Sequence, residues 1–529
     1  MGKAPALFDA NGSFGKKSSG SPEFPTIADR LAFMDRFGIA RSLVWNVEST
    51  QNHAGRSNRM MLDQIRRTPG ARGRIIPALS VSGLMPYEEG GLEELVGQMR
   101  EGGTRALRFA NVFGRLTLRQ LEPVMKVIRK RKPFIVLRFD QAGVEDLAAF
   151  AEQYPDVSLI LTEVMWGPCI TVFDLMRRRK NILVDLSWMH TFDAVELLAD
   201  QFGADRIVFG TGYKSHNGAA IAALARAHIA ESQRRLIACG NLERLTGLAP
   251  RVPVPAVETP GNTLWNRFLA GRPLGVDAID SHVHAGPSGG YVLKAQEESK
   301  QIALAVKAMD AVGIDTMIIS GLQALMGGPV EGNDLLESLL TPLSARMKGY
   351  VTFNPFYADE LLPRLDGYFG GSVFVGFKTL CDYWNIAIND PRFDPMWKYA
   401  DRHRLPVLNH TWTGTRSSPA MLTDVVKRFP NVQFLLAHSG GSDQGRGEAV
   451  KLAQDNKNVF LEWCGSFCSS IPWEETLRQV DHRQVVFGTD AMAHDINWEL
   501  GRLLSLNVSD KVLIPILGGN MRRILAMRR

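Results

Sequence analysis

The chain is written twice. "ALFDANGSFG" at 6–15 lies against "AIDSHVHAG" at 278–286, which sets Asp9 opposite Asp280. "ALRFAN" from 106 matches "GFKTLC" from 376, and "VSLILTE" from 157 matches "VQFLLAH" from 432. "VFGTG" at 208–212 returns as "VFGTD" at 486–490, and "GNLERLTGL" returns as "GNMRRILAM", with Asn241 opposite Asn520. The separation drifts only from 270 to 279 residues, so the halves are collinear copies with small loop insertions. The proline-rich stretch "APRVPVPAVETPGN", 249–262, reads as an extended spacer and places the domains at 1–250 and 251–529.

Within each half, short β-branched runs alternate with stretches of helical period, the pattern of a parallel sheet. In the second half the strands are expected near 276–283, 315–320, 348–353, 373–379, 406–411, 432–438, 459–464 and 485–490. Eight strand-and-helix units in that span match a (β/α)8 barrel, which is typically about 250 residues long. A doubly wound open sheet is the competing architecture, but no glycine-rich phosphate loop follows a first strand. The fold class expected is therefore α/β, two tandem (β/α)8 TIM barrels.

In such a barrel, chemistry sits where strands end at the carboxyl-terminal face. The second copy is well supplied there. His282 and His284 in "DSHVH" are two apart on a strand, so both rings face one side and can grip one ion. His410 ends strand five, His438 ends strand six and Asp490 ends strand eight. With only 11 histidines in 529 residues, four at three such strand ends with an aspartate at another is not chance scatter. Neutral imidazoles and one carboxylate suit zinc, and such a site with an open position makes a bound water acidic enough to attack near neutral pH. Asp490 could accept the proton and return it to a leaving group, and His438 could steady developing negative charge.

This constellation resembles the amidohydrolase superfamily, and within it the group that includes aminocarboxymuconate-semialdehyde decarboxylase; the likeness runs from D-x-H-x-H to the "GNMRRIL" tail in both halves. The resemblance implies one divalent ion, zinc in most members and manganese in others, held by His282, His284, His410 and Asp490, with His438 beside it. It leaves Lys378, which ends strand four, with three readings: a carbamylated bridge between two metals, a mononuclear bystander, or an ammonium that binds a substrate carboxylate. His494, four beyond Asp490, matches a family histidine, yet His216 holds the same place in the first copy, and a structural loop role serves both. Trp384, Trp412 and Trp463 could wall a substrate pocket or pack the barrel, and Cys464 reads as buried packing.

The first copy lacks every ligand. His282 and His284 become Asn11 and Ser13, His410 becomes Arg138, His438 becomes Glu163 and Asp490 becomes Gly212. The first barrel is therefore expected to be catalytically degenerate, with an Arg138–Glu163 salt bridge in the vacated centre. Because decarboxylases of the resembled group pair as dimers with an arginine lent by the neighbour, the tandem could build that pair within one chain, through Arg177, Arg178 and Arg179.

Composition narrows the function classes. A net charge of +6, with basic residues in short clusters such as "IRKRKP", does not describe a nucleic-acid binder. No apolar run reaches membrane-spanning length, "MGKAPALFDA" carries no apolar signal region, and the five cysteines form no paired framework. The expectation is a cytoplasmic enzyme acting on a small molecule, self-paired through its two barrels, with a homo-oligomer left open. The function expected is metal-dependent hydrolysis of an amide, ester or lactone of a small acidic molecule. A carbon–carbon lyase (a non-oxidative decarboxylase or hydratase) and a non-catalytic scaffold are the alternatives.

Overall fold

The computed structural model describes residues 5–18, 22–111, 114–165, 167–212, 216–288, 292, 294–465 and 473–529. The chain divides into two compact units, Met1–Glu258 and Thr259–Arg529.

The first unit runs through β1 (Leu7–Phe14), β2 (Ile39–Asn46), β3 (Ile75–Pro77), β4 (Leu79–Val81), β5 (Ala106–Phe109), β6 (Phe134–Arg138), β7 (Leu159–Thr162), β8 (Ile182–Asp185) and β9 (Ile207–Val208). β3 and β4 are one barrel position interrupted at Ala78, whose N–H still donates to the Val44 carbonyl at 2.8 Å. All pairings are parallel, and Ala10 N to Phe209 O at 2.8 Å links the first strand to the last.

The second unit has eight parallel strands in sequential order: β10 (Ile279–Ala285), β11 (Thr316–Gly321), β12 (Met347–Thr352), β13 (Phe374–Thr379), β14 (Pro406–His410), β15 (Gln433–Ala437), β16 (Val459–Glu462) and β17 (Val485–Val486). These fall at the eight expected positions. Ser281 N to Phe487 O at 3.0 Å and Asp490 N to His282 O at 2.7 Å close the ring. Two tandem TIM barrels are thus the architecture.

The strands are buried on both faces because helices cover the outside and side chains fill the inside. Every strand of the second unit supplies the inner cluster, through Ile279, Ile318, Tyr350, Val375, Leu408, Leu435, Phe460 and Val486, with Met521 and Ile524 of the terminal helix packed on it. The retained "GN" motif has a local cause. Asn241 Nδ2 donates to the carbonyls of Ala204 and Ile207, at 2.8 and 2.7 Å. Asn520 does the same to His482 and Val485, again at 2.8 and 2.7 Å. Each amide ties the terminal helix to the start of the last strand, so either copy would leave two buried acceptors unpaired without it.

Candidate metal centre

Every polar side chain of interest in the second unit stands where a strand passes into its loop. β10 carries His282 and His284, β13 carries Lys378, β14 ends at His410, His438 follows β15, β16 ends at Glu462, and Asp490 follows β17. The Nε2 atoms of His282 and His284 are 3.2 Å apart, and Asp490 Oδ1 lies 3.1 Å from the second and 3.7 Å from the first. Their Nδ1 atoms turn outward, that of His282 to Glu462 Oε2 at 3.3 Å and that of His284 to the Ser320 carbonyl at 3.4 Å. With Nδ1–H donating to these acceptors, both Nε2 lone pairs are directed at one centre.

The electrostatics follow from burial. His282 and His438 are held well below the ordinary imidazole range, first by burial, and His410 is lowered to about 4 for the same reason. All three are neutral near pH 7, the form that binds metal. Burial opposes a charge on Asp490, but the facing imidazoles of His282, His494 and His284 hold its carboxyl well below the usual range. Burial pushes Glu462 up to about 8 and brings Lys378 down to about 8; Lys378 Nζ sits 2.9 Å from His282 Nε2.

Two groups of donors are compact enough to hold an ion among the described residues: His282, His284 and Asp490, and His282, His438, Glu462 and Cys464. The first is the better fit. In the second, burial keeps the Cys464 thiol protonated, and Glu462 is already engaged by the N–H groups of His438 and Cys464 at 3.0 and 2.8 Å. Glu462 is instead the outer partner that orients His282. Of the resemblance-implied ligands, His282, His284 and Asp490 are brought together, whereas His410 falls outside that compact group. Its ring is 4.9 Å from that of His438, and its Nε2 is 3.8 Å from Asp382 Oδ2. Cys464 packs as a buried thiol with Sγ 3.0 Å from His438 Nδ1.

His494 Nε2 lies 3.9 Å from Asp490 Oδ2, and its Nδ1 lies 3.5 Å from Glu499, so this histidine braces the loop that carries Asp490. Trp412 stands 6.4 Å from His438, Trp384 joins the Leu322–Leu325–Leu380 cluster, and Trp463 is core, tilted against Trp473 with ring centroids 4.3 Å apart. Cys468 lies outside the described residues. Sequence reasoning missed Glu462. The signal existed: the self-alignment puts the acid Asp185 at the same strand end in the first copy.

The first unit keeps the scaffold beneath this centre. Asp280 Oδ1 accepts the N–H groups of His282 and Thr489, at 3.2 and 3.0 Å, and Asp9 Oδ1 accepts those of Asn11 and Thr211, both at 2.9 Å. Glu462 accepts His438 N–H at 3.0 Å, and Asp185 accepts Glu163 N–H at 3.1 Å. Even the backbone is matched: His438 has φ 61° and Glu163 φ 57°, while Asp490 has φ 59° and Gly212 φ 64°. Left-handed backbone favours glycine, so Gly212 is the relaxed occupant, and Asp490 takes the same conformation at the steric cost of its side chain.

In place of donors, Arg138 Nε lies 3.5 Å from Glu163 Oε2 and 2.9 Å from Asp140 Oδ1. Beneath them, buried Arg30 pairs with Asp9, putting a guanidinium under the centre of the barrel. Arg177, Arg178 and Arg179 lie at the end of the helix Cys169–Arg178 that leads into β8, so they sit at the barrel face opposite the strand ends that carry Glu163 and Gly212. They pair within their own unit, with Asp174, Asp174 and Glu152.

The amidohydrolase family model matches the chain twice, over 22–248 and 279–527, one match in each unit. The chain belongs to the amidohydrolase family. It is a metal-dependent enzyme, with the donor set on the second barrel. No curated protein matches this chain. Among solved structures it is similar to 5-carboxyvanillate decarboxylase from Sphingomonas paucimobilis, at 12% identity and a TM-score of 0.38 over 48% of this chain and 99% of that one. It is also similar to 2,6-dihydroxybenzoate decarboxylase from Rhizobium, at 14% identity and a TM-score of 0.37 over 48% and 99%. A third is 5-carboxyvanillate decarboxylase from Novosphingobium aromaticivorans complexed with manganese, at 12% and 0.37 over 48% and 96%. Similarity of this degree carries no activity from those proteins to this one. Among the described residues, no helix is long and apolar enough to cross a membrane.

Proposed function

We propose that the second barrel hydrolyses an amide, ester or lactone bond of a small acidic molecule with the help of one divalent ion, zinc by the softness of its imidazole donors. His282, His284 and Asp490 would hold the ion, which when bound supplies Lewis acidity and makes a water nucleophilic near neutral pH. The observation that carries this reading is the buried, ionised Asp490 carboxylate, 3.1 Å from His284 and flanked by His494. Its Oδ1 faces the imidazole pair, leaving Oδ2 to take a proton from the attacking water and pass it to the leaving group. The protonated Cys464 thiol donates to His438 Nδ1, which leaves His438 Nε2–H as a donor toward the reacting oxygen. Lys378, buried beside His282, supplies positive charge for a substrate carboxylate.

That same cation favours a second reading, a carbon–carbon lyase, because it would seat a substrate carboxylate beside His282. A small-carboxylate screen on the metal-loaded protein tests both. Incorporation of labelled oxygen from water into the cleaved or ring-opened product supports hydrolysis; release of carbon dioxide with no incorporation into the remaining product overturns it in favour of the lyase. Turnover that survives metal removal would overturn both.

A further inference from the structure

The mouth of the first barrel has lost its metal donors but is not filled in. A cavity of about 300 Å³ opens there, lined among others by Asn11, Trp45, Asn111, Arg138, Gln141 and Glu163. That volume is at the lower end of the range of small-molecule sites. No metal is called for, so the lining itself must say what fits.

Its charges are engaged: Lys17, which also lines it, is not free, and the others meet one another. The Arg138 guanidinium binds Asp140 through Nε, at 2.9 Å, and through Nη2, and also faces Glu163 at 3.5 Å. An anion would have to displace Asp140 from that fork, and an added cation would meet a carboxylate already countered by arginine. Both charged classes are therefore disfavoured. The least satisfied acceptor is on Glu163: its side chain is only 9% exposed, Oε1 accepts Asn11 Nδ2 at 3.2 Å, and Oε2 faces Arg138 Nε at 3.5 Å without a hydrogen bond. A buried acceptor left so is costly, and a neutral O–H donor from a ligand satisfies it without adding charge. Trp45 adds an aromatic surface to the lining. The buried Arg108 guanidinium lies 4.5 Å from the Trp45 ring and holds the indole in place. An aromatic surface and a poorly satisfied acceptor in one cavity suit a ligand with C–H faces and hydroxyl edges.

We propose that the mouth of the first barrel binds a neutral, polyhydroxylated molecule of monosaccharide size, which donates a hydroxyl to Glu163 Oε2 and lays its C–H face on Trp45. The site is independent of the hydrolytic reading of the second barrel.

Calorimetric titration of the full chain with D-glucose and with myo-inositol tests it, beside benzoate as an anionic probe and choline as a cationic one. The expected result is one site per chain for a polyol, unchanged in His282→Ala, weakened about tenfold or more in Glu163→Met, and abolished in Ser13→Phe, which fills the mouth without touching the Glu163 contacts. Circular dichroism confirms that each variant is folded, and Ser13→Phe keeps the test intact should Glu163→Met fail to fold. The proposal is overturned if neither polyol binds, if benzoate or choline binds in their stead, or if polyol binding is lost in His282→Ala and kept in the two first-barrel variants.

Discussion

Replacing Asp185 by asparagine should change how the first unit responds to pH while barely changing it in acid. Asp185 ends β8, fully buried, with Oδ1 accepting the Glu163 N–H at 3.1 Å and the Ser187 hydroxyl at 2.9 Å; Oδ2 has no hydrogen-bond partner. Burial raises its carboxyl from 3.8 to about 7. Between those values the folded chain keeps a proton that the unfolded chain has released. The stabilisation is therefore complete below about pH 4 and lost as the pH rises through about 7. At about 1.4 kcal/mol per pH unit, the loss is about 4 kcal/mol. Asp185→Asn keeps the shape and the Oδ1 acceptor and has no charge to acquire. Urea denaturation, following the first unit's transition with metal chelated, should find variant and parent equally stable near pH 4. At about pH 8.5 the variant should be more stable by about 4 kcal/mol. A difference that is the same at both pH values would refute the reasoning, because it would mean that Asp185 does not hold its proton in the folded barrel.

Asn241→Ala and Asn520→Ala should each destabilise their own unit by about 2–4 kcal/mol in denaturant melts, since each leaves two buried carbonyls without a donor. Gly212→Asp should not restore a metal site by elemental analysis, because Asn11 and Ser13 are not imidazoles. It should also destabilise the first unit by about 1–3 kcal/mol, as a Cβ there would stand 2.9 Å from Ser187 Cβ at φ 64°. Glu462→Gln should weaken metal affinity of the second unit by about 10–100-fold in a competition assay, because it puts an NH2 where one of two oxygens accepts from His282 or from the His438 and Cys464 N–H groups. Asp490→Asn should abolish turnover and lower metal content while the melting profile of the first unit stays in place.

The repeat and its strand-end residues made the fold and the compact part of the centre legible in the sequence. Periodicity and burial leave parallel strands little freedom, and a D-x-H-x-H strand end projects two imidazoles to one side whatever surrounds it. The side-chain types at the aligned positions also showed which copy could hold a metal. Contacts between residues far apart in the chain were not legible. Glu462 and His282 are 180 residues apart, and their pairing depends on the ring closing with β16 beside β17, and β17 against β10. The distance of His410 from the His282–His284–Asp490 group, and its approach to Asp382, likewise depend on loop geometry.

What the sequence determined by itself was two barrels, one with imidazoles at the expected ligand positions and one without them there, because covalent order and residue chemistry suffice for that. Only the tertiary structure decided that Asp490 and Gly212 share one left-handed backbone site, that buried acids support both mouths alike, and that the first mouth stays open. Those outcomes rest on desolvation and on backbone angles, which arise only when distant strands close around a common interior.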